Sequence, residues 1–223
     1  MRPNWVWCVT GHPARRQCGA PFFARFPTLL DSRWLRQFNA RVPLNKLTII
    51  GAGLLGGSSG LAARARGLAR RVSALVRRPE SLAECQALGI ANEVTLDPAE
   101  AVAGADLVVL CTPISGMAGL AKRTLSDLKP GTVITDVGST KQQLVAELTP
   151  LCAGAGARFV GSHPMAGSEQ TGPSAARADL FDGTVCVVTP TSDTAANALA
   201  TVNDFWAGLG SRPVVMPADT HDR

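Results

Sequence analysis

The sequence predicts an α/β fold in which a doubly wound, mostly parallel sheet carries helices on both faces. From Lys46 onward, short apolar runs alternate with helix-length amphipathic segments, which is the pattern of strands joined by crossover helices. Most of the runs are rich in Val, Ile and Leu without alternating polar residues, as expected for strands covered on both faces. A glycine-rich stretch, residues 51–56, joins the first run to the first helical segment.

The apolar runs are candidate strands, and the longer amphipathic segments are candidate helices. The strands are residues 46–50, 71–76, 107–111, 132–137, 158–161, 185–189 and 213–216. The helices are residues 54–67, 79–88, 116–128, 139–153 and 194–209. Asp97 and Pro98 can cap and begin a further short helix. Glycines stand where helices should end, at Gly67, Gly89 and Gly210.

The stretch GAGLLG matches the GxGxxG pattern directly after a strand and directly before a helix. Gly51 permits a tight turn, Gly53 lets the backbone approach a pyrophosphate, and Gly56 allows close packing of helix on strand. The backbone N–H groups that open the helix, at Leu54 and Leu55, favour a bound anion. The loop therefore predicts a Rossmann-type dinucleotide-binding domain rather than a glycine-rich turn without a ligand.

The end of the second strand predicts which dinucleotide is bound. NAD-binding domains usually place an acidic residue there to hold the ribose 2′-hydroxyl. No acidic residue occurs between Gly51 and Pro79, and the strand ends in Arg77 and Arg78. Guanidinium groups can bind a 2′-phosphate in a bidentate manner, so we expect NADP as the cofactor, with NAD as the alternative.

Residues 1–45 differ from the rest of the chain. They carry seven arginines against one acid, whereas residues 46–223 carry 15 basic and 16 acidic residues. With repeated Trp and Pro and no regular period, residues 1–45 are expected to form an unstructured N-terminal extension, ahead of a Rossmann domain at residues 46–218. An organellar transit peptide, which is also Arg-rich and acid-poor, is the alternative. Because the excess basic charge lies outside the folded part, we expect no nucleic acid partner.

Cysteine spacing and hydropathy exclude two further classes of protein. The six cysteines are scattered without CxxC spacing or a nearby histidine, so we expect reduced thiols and no metal site. No apolar run approaches the roughly 20 residues that span a bilayer. These observations predict a cytoplasmic protein that binds no membrane.

Three further stretches follow predicted strands, where such folds bind their ligands. They are LCTPI from Leu110, TDVGSTK from Thr135 and GSHPMAGSE from Gly161. Together with GAGLLGGS from Gly51 they resemble, in order and spacing, the characteristic segments of the prephenate/arogenate (cyclohexadienyl) dehydrogenase family. The resemblance covers residues 46–223, and HPMAGSE is its most specific part.

The resemblance implies an oxidoreductase of tyrosine biosynthesis that decarboxylates prephenate or arogenate oxidatively by hydride transfer. His163 matches the family's catalytic histidine, a base for the ring hydroxyl, and Ser139 matches a serine that orients it. Ser139 could also be a helix N-cap. We expect Thr112 and Pro113 to form the wall against the nicotinamide ribose.

The resemblance also implies two weaker substrate contacts, Ser168 and Glu169. A solvated loop carboxylate is an equally good interpretation of Glu169. Family members continue after the pair His221 and Asp222 into a helical domain that supplies dimer contacts and basic residues for substrate. We therefore read residues 219–223 as the truncated start of that domain. We expect this chain to be incomplete as a catalyst, and only the longer family members to be homodimers.

Other functions remain open at this point. A different NADP-dependent dehydrogenase, of the 3-hydroxyacid or imine-reducing type, would share the phosphate loop, although HPMAGSE argues against it. The alternative without enzyme activity is a non-catalytic remnant that binds NADP. The sequence does not distinguish prephenate from arogenate as the substrate.

Overall fold

The structure is a computed structural model that describes residues 43–223. These residues belong to one compact unit. The expected N-terminal extension, residues 1–45, lies outside the described residues except for its last three positions.

Six strands form the main sheet, all parallel, in the order β3-β2-β1-β4-β5-β6. They are β1 (Leu44–Ile50), β2 (Ala69–Leu75), β3 (Glu93–Thr95), β4 (Leu107–Leu110), β5 (Val133–Asp136) and β6 (Arg158–Phe159). The strand order reverses between β1 and β4, so a crevice opens at the carboxyl ends of these two strands. The predicted doubly wound sheet is confirmed. The sequence did not predict β3, because three residues make too short a run to be recognised.

A second, three-stranded sheet follows along the chain. It contains β7 (Gly161–Pro164), β8 (Val185–Thr189) and β9 (Arg212–Val215), with β7 antiparallel and β9 parallel to β8. The single strand expected at residues 158–161 is therefore wrong. The chain pairs with β5 through β6, passes Val160, and then changes sheets to pair with β8, a partner that lies too far along the chain to be seen in local sequence.

The six predicted helices are present with shifted ends, and a further short helix, the last in the chain, was not predicted. The helices are α1 (Leu54–Ala65), α2 (Pro79–Ala87), α3 (Pro98–Val102), α4 (Ile114–Thr124), α5 (Gln142–Gly154), α6 (Ala196–Gly208) and α7 (Ala218–His221). The expected cap of α3 is confirmed, since Asp97 Oδ1 accepts a hydrogen bond of 2.9 Å from the N–H of Ala99. Within residues 43–223 no helix has the length and apolar character that crossing a membrane requires.

Apolar residues fill both sides of the main sheet. On one side, Leu47 and Ile49 pack in a cluster that includes Trp206 of α6. On the other side, Ile50 packs in a cluster that includes Met117 of α4 and residues of α5. Consecutive residues of β1 therefore serve opposite layers, as the strand geometry requires. Burial on both faces explains why the strands are continuously apolar in sequence.

Candidate functional site

The loop between β1 and α1 has the geometry that the glycine pattern predicts. Gly51 has a φ of 95°, a conformation that favours glycine. A Cβ on Gly56 would lie 1.9 Å from the carbonyl oxygen of Gly51, whereas a Cβ on Gly53 would meet nothing within 4 Å. The third glycine thus permits the close turn, and the second leaves open space above the helix. No side chain caps the N-terminus of α1, and no acidic residue lies in its first turn, so its N–H groups remain available for an anion.

A cavity of about 830 Å³ opens beside this loop, at the carboxyl ends of β1 and β4. Its lining includes Gly51, Thr112 and Pro113, as expected, together with Arg77 at the end of β2. The Thr112 hydroxyl is buried and has no hydrogen-bond partner among the described residues. An unpaired buried hydroxyl is costly, so a ligand that supplies its partner would be stabilised. Open space at the loop, an uncapped helix and this hydroxyl all fit a bound dinucleotide.

The two arginines after β2 have different positions. Arg77 lines the cavity, whereas Arg78 is exposed, occupies the N-cap of α2 and is absent from the lining. Arg123, in the last turn of α4, lines the same cavity. The sequence did not indicate Arg123, because its approach to Arg77 depends on the packing of α4 against the sheet. Of the predicted pair, Arg77 thus lines the cavity, where the lining also includes Arg123, and Arg78 does not.

His163 lies in β7, not in a loop after a strand, and its side chain is partly buried. It lines a second cavity, of about 580 Å³, together with Met165, Arg177 and other residues. His163 Nδ1 lies 2.9 Å from His221 Nε2, and the two rings meet edge to face. Burial lowers the pKa of His163, with smaller contributions from His221 and Lys141, while Asp222 opposes them. The ring is therefore neutral at neutral pH, as a proton acceptor must be.

The His221 ring is held in turn by the carboxylate next to it. His221 Nδ1 lies 2.6 Å from Asp222 Oδ1, and the two side chains are only 5% and 20% exposed. Asp222 also accepts hydrogen bonds of 2.8 Å from the N–H groups of Lys141 and Gln142. It therefore caps the N-terminus of α5 from 80 residues away along the chain. Burial would raise the pKa of Asp222, but the hydrogen bonds from Gln142, His221 and Lys141 outweigh it and lower the pKa.

A buried ion pair lies beneath His163. The Lys141 ammonium donates to Asp136, and both side chains are fully buried. Lys141 Nζ also donates to the carbonyl of Ser162, 2.9 Å away, and Asp136 Oδ1 accepts from the N–H of Ser162 at 3.0 Å. Burial raises the pKa of Asp136 and lowers that of Lys141, and their mutual attraction opposes both shifts without cancelling them. The pair thus fixes the strand that carries His163, and Lys141 has no free charge to offer a ligand.

Three other predicted residues lie apart from these contacts. Ser139 is exposed, and its hydroxyl forms no hydrogen bond within residues 43–223. It is not an N-cap, because α5 begins at Gln142 with Lys141 as its N-cap. Ser168 and Glu169 are exposed and absent from the lining of the His163 cavity. The Ser168 hydroxyl accepts from the N–H of Gln170 at 3.2 Å.

The sequence did not indicate that His221 and Arg177 are neighbours of His163. His221 is 58 residues from His163, so only the fold brings the two together. The one available signal was the scarcity of histidine, since the chain has three and two of them meet here. Arg177 is mostly exposed and its Nε lies 3.6 Å from Asp179, a distance typical of a weak surface ion pair.

The reversal of strand order, the uncapped glycine-rich helix start and the cavity beside it define a dinucleotide-binding domain of the Rossmann class. The chain belongs to the prephenate dehydrogenase family. The family model described as "Prephenate dehydrogenase, nucleotide-binding domain" matches residues 59–215, which confirms the resemblance seen in the sequence.

Individual relatives agree with this assignment. The cyclohexadienyl dehydrogenase of Zymomonas mobilis is 35% identical over 79% of this chain and 59% of its own length. The crystal structure of Aquifex aeolicus prephenate dehydrogenase in complex with hydroxyphenyl propionate and NAD+ has 29% identity and a TM-score of 0.76, covering 82% of this chain and 63% of that one. Synechocystis arogenate dehydrogenase has 27% identity and a TM-score of 0.73, with 79% and 61% covered. The chain spans 46–59% of the length of the curated relatives it matches.

Proposed function

We propose that this chain provides the cofactor site and the catalytic base of a dehydrogenase of tyrosine biosynthesis, which decarboxylates prephenate, arogenate or both oxidatively. The observation that carries the proposal is the state of His163. Its Nδ1 is tied to His221, its Nε2 forms no hydrogen bond within residues 43–223, and the residue lines a cavity. A neutral, oriented imidazole with one free nitrogen is what a general base needs.

The reaction requires a hydride and a proton to leave the hydroxyl-bearing ring carbon and its oxygen. A nicotinamide, when bound, takes up the hydride. His163 Nε2 accepts the hydroxyl proton. The bond to the ring carboxylate then breaks, carbon dioxide leaves, and the electron pair of that bond completes the aromatic ring. The phenolate oxygen regains the proton from His163, so the base is restored.

We propose NADP as the cofactor. Arg77 and Arg123 line the cavity beside the glycine loop, and no carboxylate follows β2 in the place that marks NAD binding. Two guanidinium groups favour an additional phosphate. The Thr112 hydroxyl and Pro113 provide the wall of the nicotinamide half of the cavity. The Aquifex aeolicus relative was crystallised with NAD+, so a direct comparison of the two cofactors is the discriminating experiment.

The substrate carries carboxylates, and the described residues near His163 offer one available cation. Lys141 is fully buried and paired with Asp136, so it cannot hold a substrate carboxylate. Arg177 lines the cavity and is paired only weakly. We propose Arg177 as one carboxylate partner and Ser168 and Glu169 as weaker substrate contacts. Ser139 remains the proposed serine that orients the catalytic histidine.

The test is to mix the protein with NADP+ and prephenate, or with arogenate, and to follow NADPH formation and carbon dioxide release. The assay is run on this chain and on a version joined to the part of the Zymomonas mobilis relative that it does not match. We expect turnover in the joined protein and a loss of about 10²- to 10⁴-fold in kcat on His163→Asn, with cofactor affinity unchanged. Near-normal kcat in His163→Asn would exclude His163 as the base.

A further inference from the structure

We propose that His221 and Asp222 are positioning residues that fix the tautomer of His163, so that its ring proton resides on Nδ1 and the lone pair on Nε2. The inference rests on the proposed function only for its catalytic consequence. The arrangement of protons itself follows from the three side chains and their contacts.

The direction of each hydrogen bond follows from Asp222. An ionised carboxylate can only accept, and Asp222 is held ionised by the N–H groups of Lys141 and Gln142. The bond of 2.6 Å between Asp222 Oδ1 and His221 Nδ1 therefore places a proton on His221 Nδ1. In a neutral ring the other nitrogen, His221 Nε2, then carries the lone pair.

That lone pair determines the state of His163. His221 Nε2 lies 2.9 Å from His163 Nδ1, so one of the two nitrogens must donate. Because Nε2 of neutral His221 is an acceptor, the proton lies on His163 Nδ1. His163 Nε2 then has its lone pair free, which is the form that can accept a proton from a substrate hydroxyl. The opposite tautomer would present an N–H and could not act as the base.

Asp222 connects this proton arrangement to the fold. The same carboxylate caps α5, which begins directly after Lys141, and the Lys141 ammonium is bonded to the carbonyl of Ser162 next to His163. The carboxylate that sets the tautomer is thus anchored to the helix whose first residues support β7. A side chain of the same length without charge should keep the cap and change the tautomer.

Asp222→Asn makes that distinction. The amide oxygen, in the place of Oδ2, can still accept from the N–H groups of Lys141 at 3.0 Å and Gln142 at 2.8 Å, and the amide NH₂ then takes the place of Oδ1 beside His221. His221 Nδ1 then becomes an acceptor, its Nε2 carries the proton and donates to His163, and the His163 proton moves to Nε2. The variant should therefore fold normally and hold both rings in the opposite tautomer.

The experiment is nitrogen NMR of the full 223-residue chain labelled with ¹⁵N-histidine, at about pH 8, above the ordinary histidine pKa of about 6.5. The chain has three histidines, His12, His163 and His221, so single substitutions assign every signal. In the original chain we expect both His163 and His221 protonated on Nδ1. In Asp222→Asn we expect His163 protonated on Nε2. In His221→Phe, which removes the acceptor and keeps a ring, His163 should also move to the Nε2–H form.

Asp219→Asn is the matched control, because Asp219 lies on the same short helix and its side chain pairs with Arg223. It should leave the His163 signals unchanged. Nε2–H in the original chain, or Nδ1–H persisting in both Asp222→Asn and His221→Phe, would overturn the proposal. Melting curves of both variants establish that a changed signal does not arise from unfolding.

A kinetic measurement on the joined protein, the version expected to show turnover, separates this inference from the proposed function. Asp222→Asn should lower kcat by about 10- to 100-fold, less than His163→Asn, with unchanged NADP affinity. If His163→Asn retains kcat while the tautomers behave as expected, only the proposed function fails. If His163→Asn abolishes turnover while the tautomers do not change in the variants, only this inference fails.

Discussion

The indole N–H of Trp206 donates a hydrogen bond of 2.9 Å to the hydroxyl of Ser162, the residue before His163. Both residues are fully buried. The Ser162 hydroxyl also lies 2.8 Å from that of Thr135 and 2.5 Å from the carbonyl of Asp136. Helix α6, the main sheet and β7 therefore meet at the side chain of Ser162.

Trp206→Phe should lower the free energy of unfolding by about 1 to 3 kcal/mol, because it removes this bond and leaves a cavity. Urea denaturation measures the change. A double-mutant cycle with Ser162→Ala should give a coupling of about 0.5 to 1.5 kcal/mol. Strict additivity of the two changes would show that the bond contributes nothing.

Gly53→Ala and Gly56→Ala should separate binding from folding. A Cβ at Gly53 lies in open space, whereas one at Gly56 would collide with the Gly51 carbonyl. We expect Gly53→Ala to change stability by less than about 1 kcal/mol but to weaken NADP binding about tenfold or more, since the Cβ fills the space left for the pyrophosphate. Gly56→Ala should cost about 1 to 3 kcal/mol of stability. Thermal melts and cofactor titrations of both variants are the measurements. Equal losses of stability would contradict the assignment of Gly53 to cofactor binding and of Gly56 to folding.

Lys141→Met should destabilise the fold by about 3 to 5 kcal/mol, because it leaves the buried Asp136 carboxylate without its ion partner. Burial already raises the pKa of Asp136, so the variant should recover stability relative to the original chain as the pH falls and that carboxyl becomes protonated. Lys129→Met is the control, since Lys129 forms a partly exposed pair with Asp106 and should cost about 1 kcal/mol or less. If urea denaturation gives equal losses in the free energy of unfolding for Lys141→Met and Lys129→Met, the buried pair contributes no more to stability than the partly exposed one.

The pKa of His163 should lie below the ordinary value of about 6.5. Burial, then the His221 and Lys141 charges, disfavour its protonated form. Because the folded-state pKa is lowered, the neutral ring contributes stability above about pH 6.5, and that contribution is lost as the pH falls through the folded-state pKa. Proton NMR titration of the histidine signals, assigned with His163→Asn, measures the midpoint. A midpoint at or above the ordinary value would mean that the environment stabilises the charged ring.

Local sequence patterns were sufficient for the longer strands of the main sheet and for the glycine-rich loop. Continuous apolar runs marked β1, β4 and β5, and Gly51 has the positive φ that a tight turn requires. A Cβ on Gly56 would meet the Gly51 carbonyl first, so this glycine permits the close turn of the loop itself. These features depend on residues close together in the chain. The same reasoning identified Asp97 as a helix cap.

Features set by distant contacts were not predictable. The strand predicted at residues 158–161 divides between two sheets, because β8 is available as a partner for β7. The bond between His163 and His221 and the shared cavity of Arg77 and Arg123 exist only once the helices have packed. The expected N-cap at Ser139 was wrong because the α5 N-terminus receives its cap from Asp222 instead.

Calorimetric titration of this chain with NADP and, separately, with NAD tests the proposed cofactor site most directly. We expect NADP to bind more tightly, because Arg77 and Arg123 face the cavity and no carboxylate marks an NAD site. Arg77→Ala should weaken NADP binding by about 1 to 3 kcal/mol and leave NAD binding nearly unchanged, whereas Arg78→Ala, outside the cavity lining, should alter neither. Equal affinities of the original chain for the two cofactors, or binding of neither, would contradict the proposed function of this cleft.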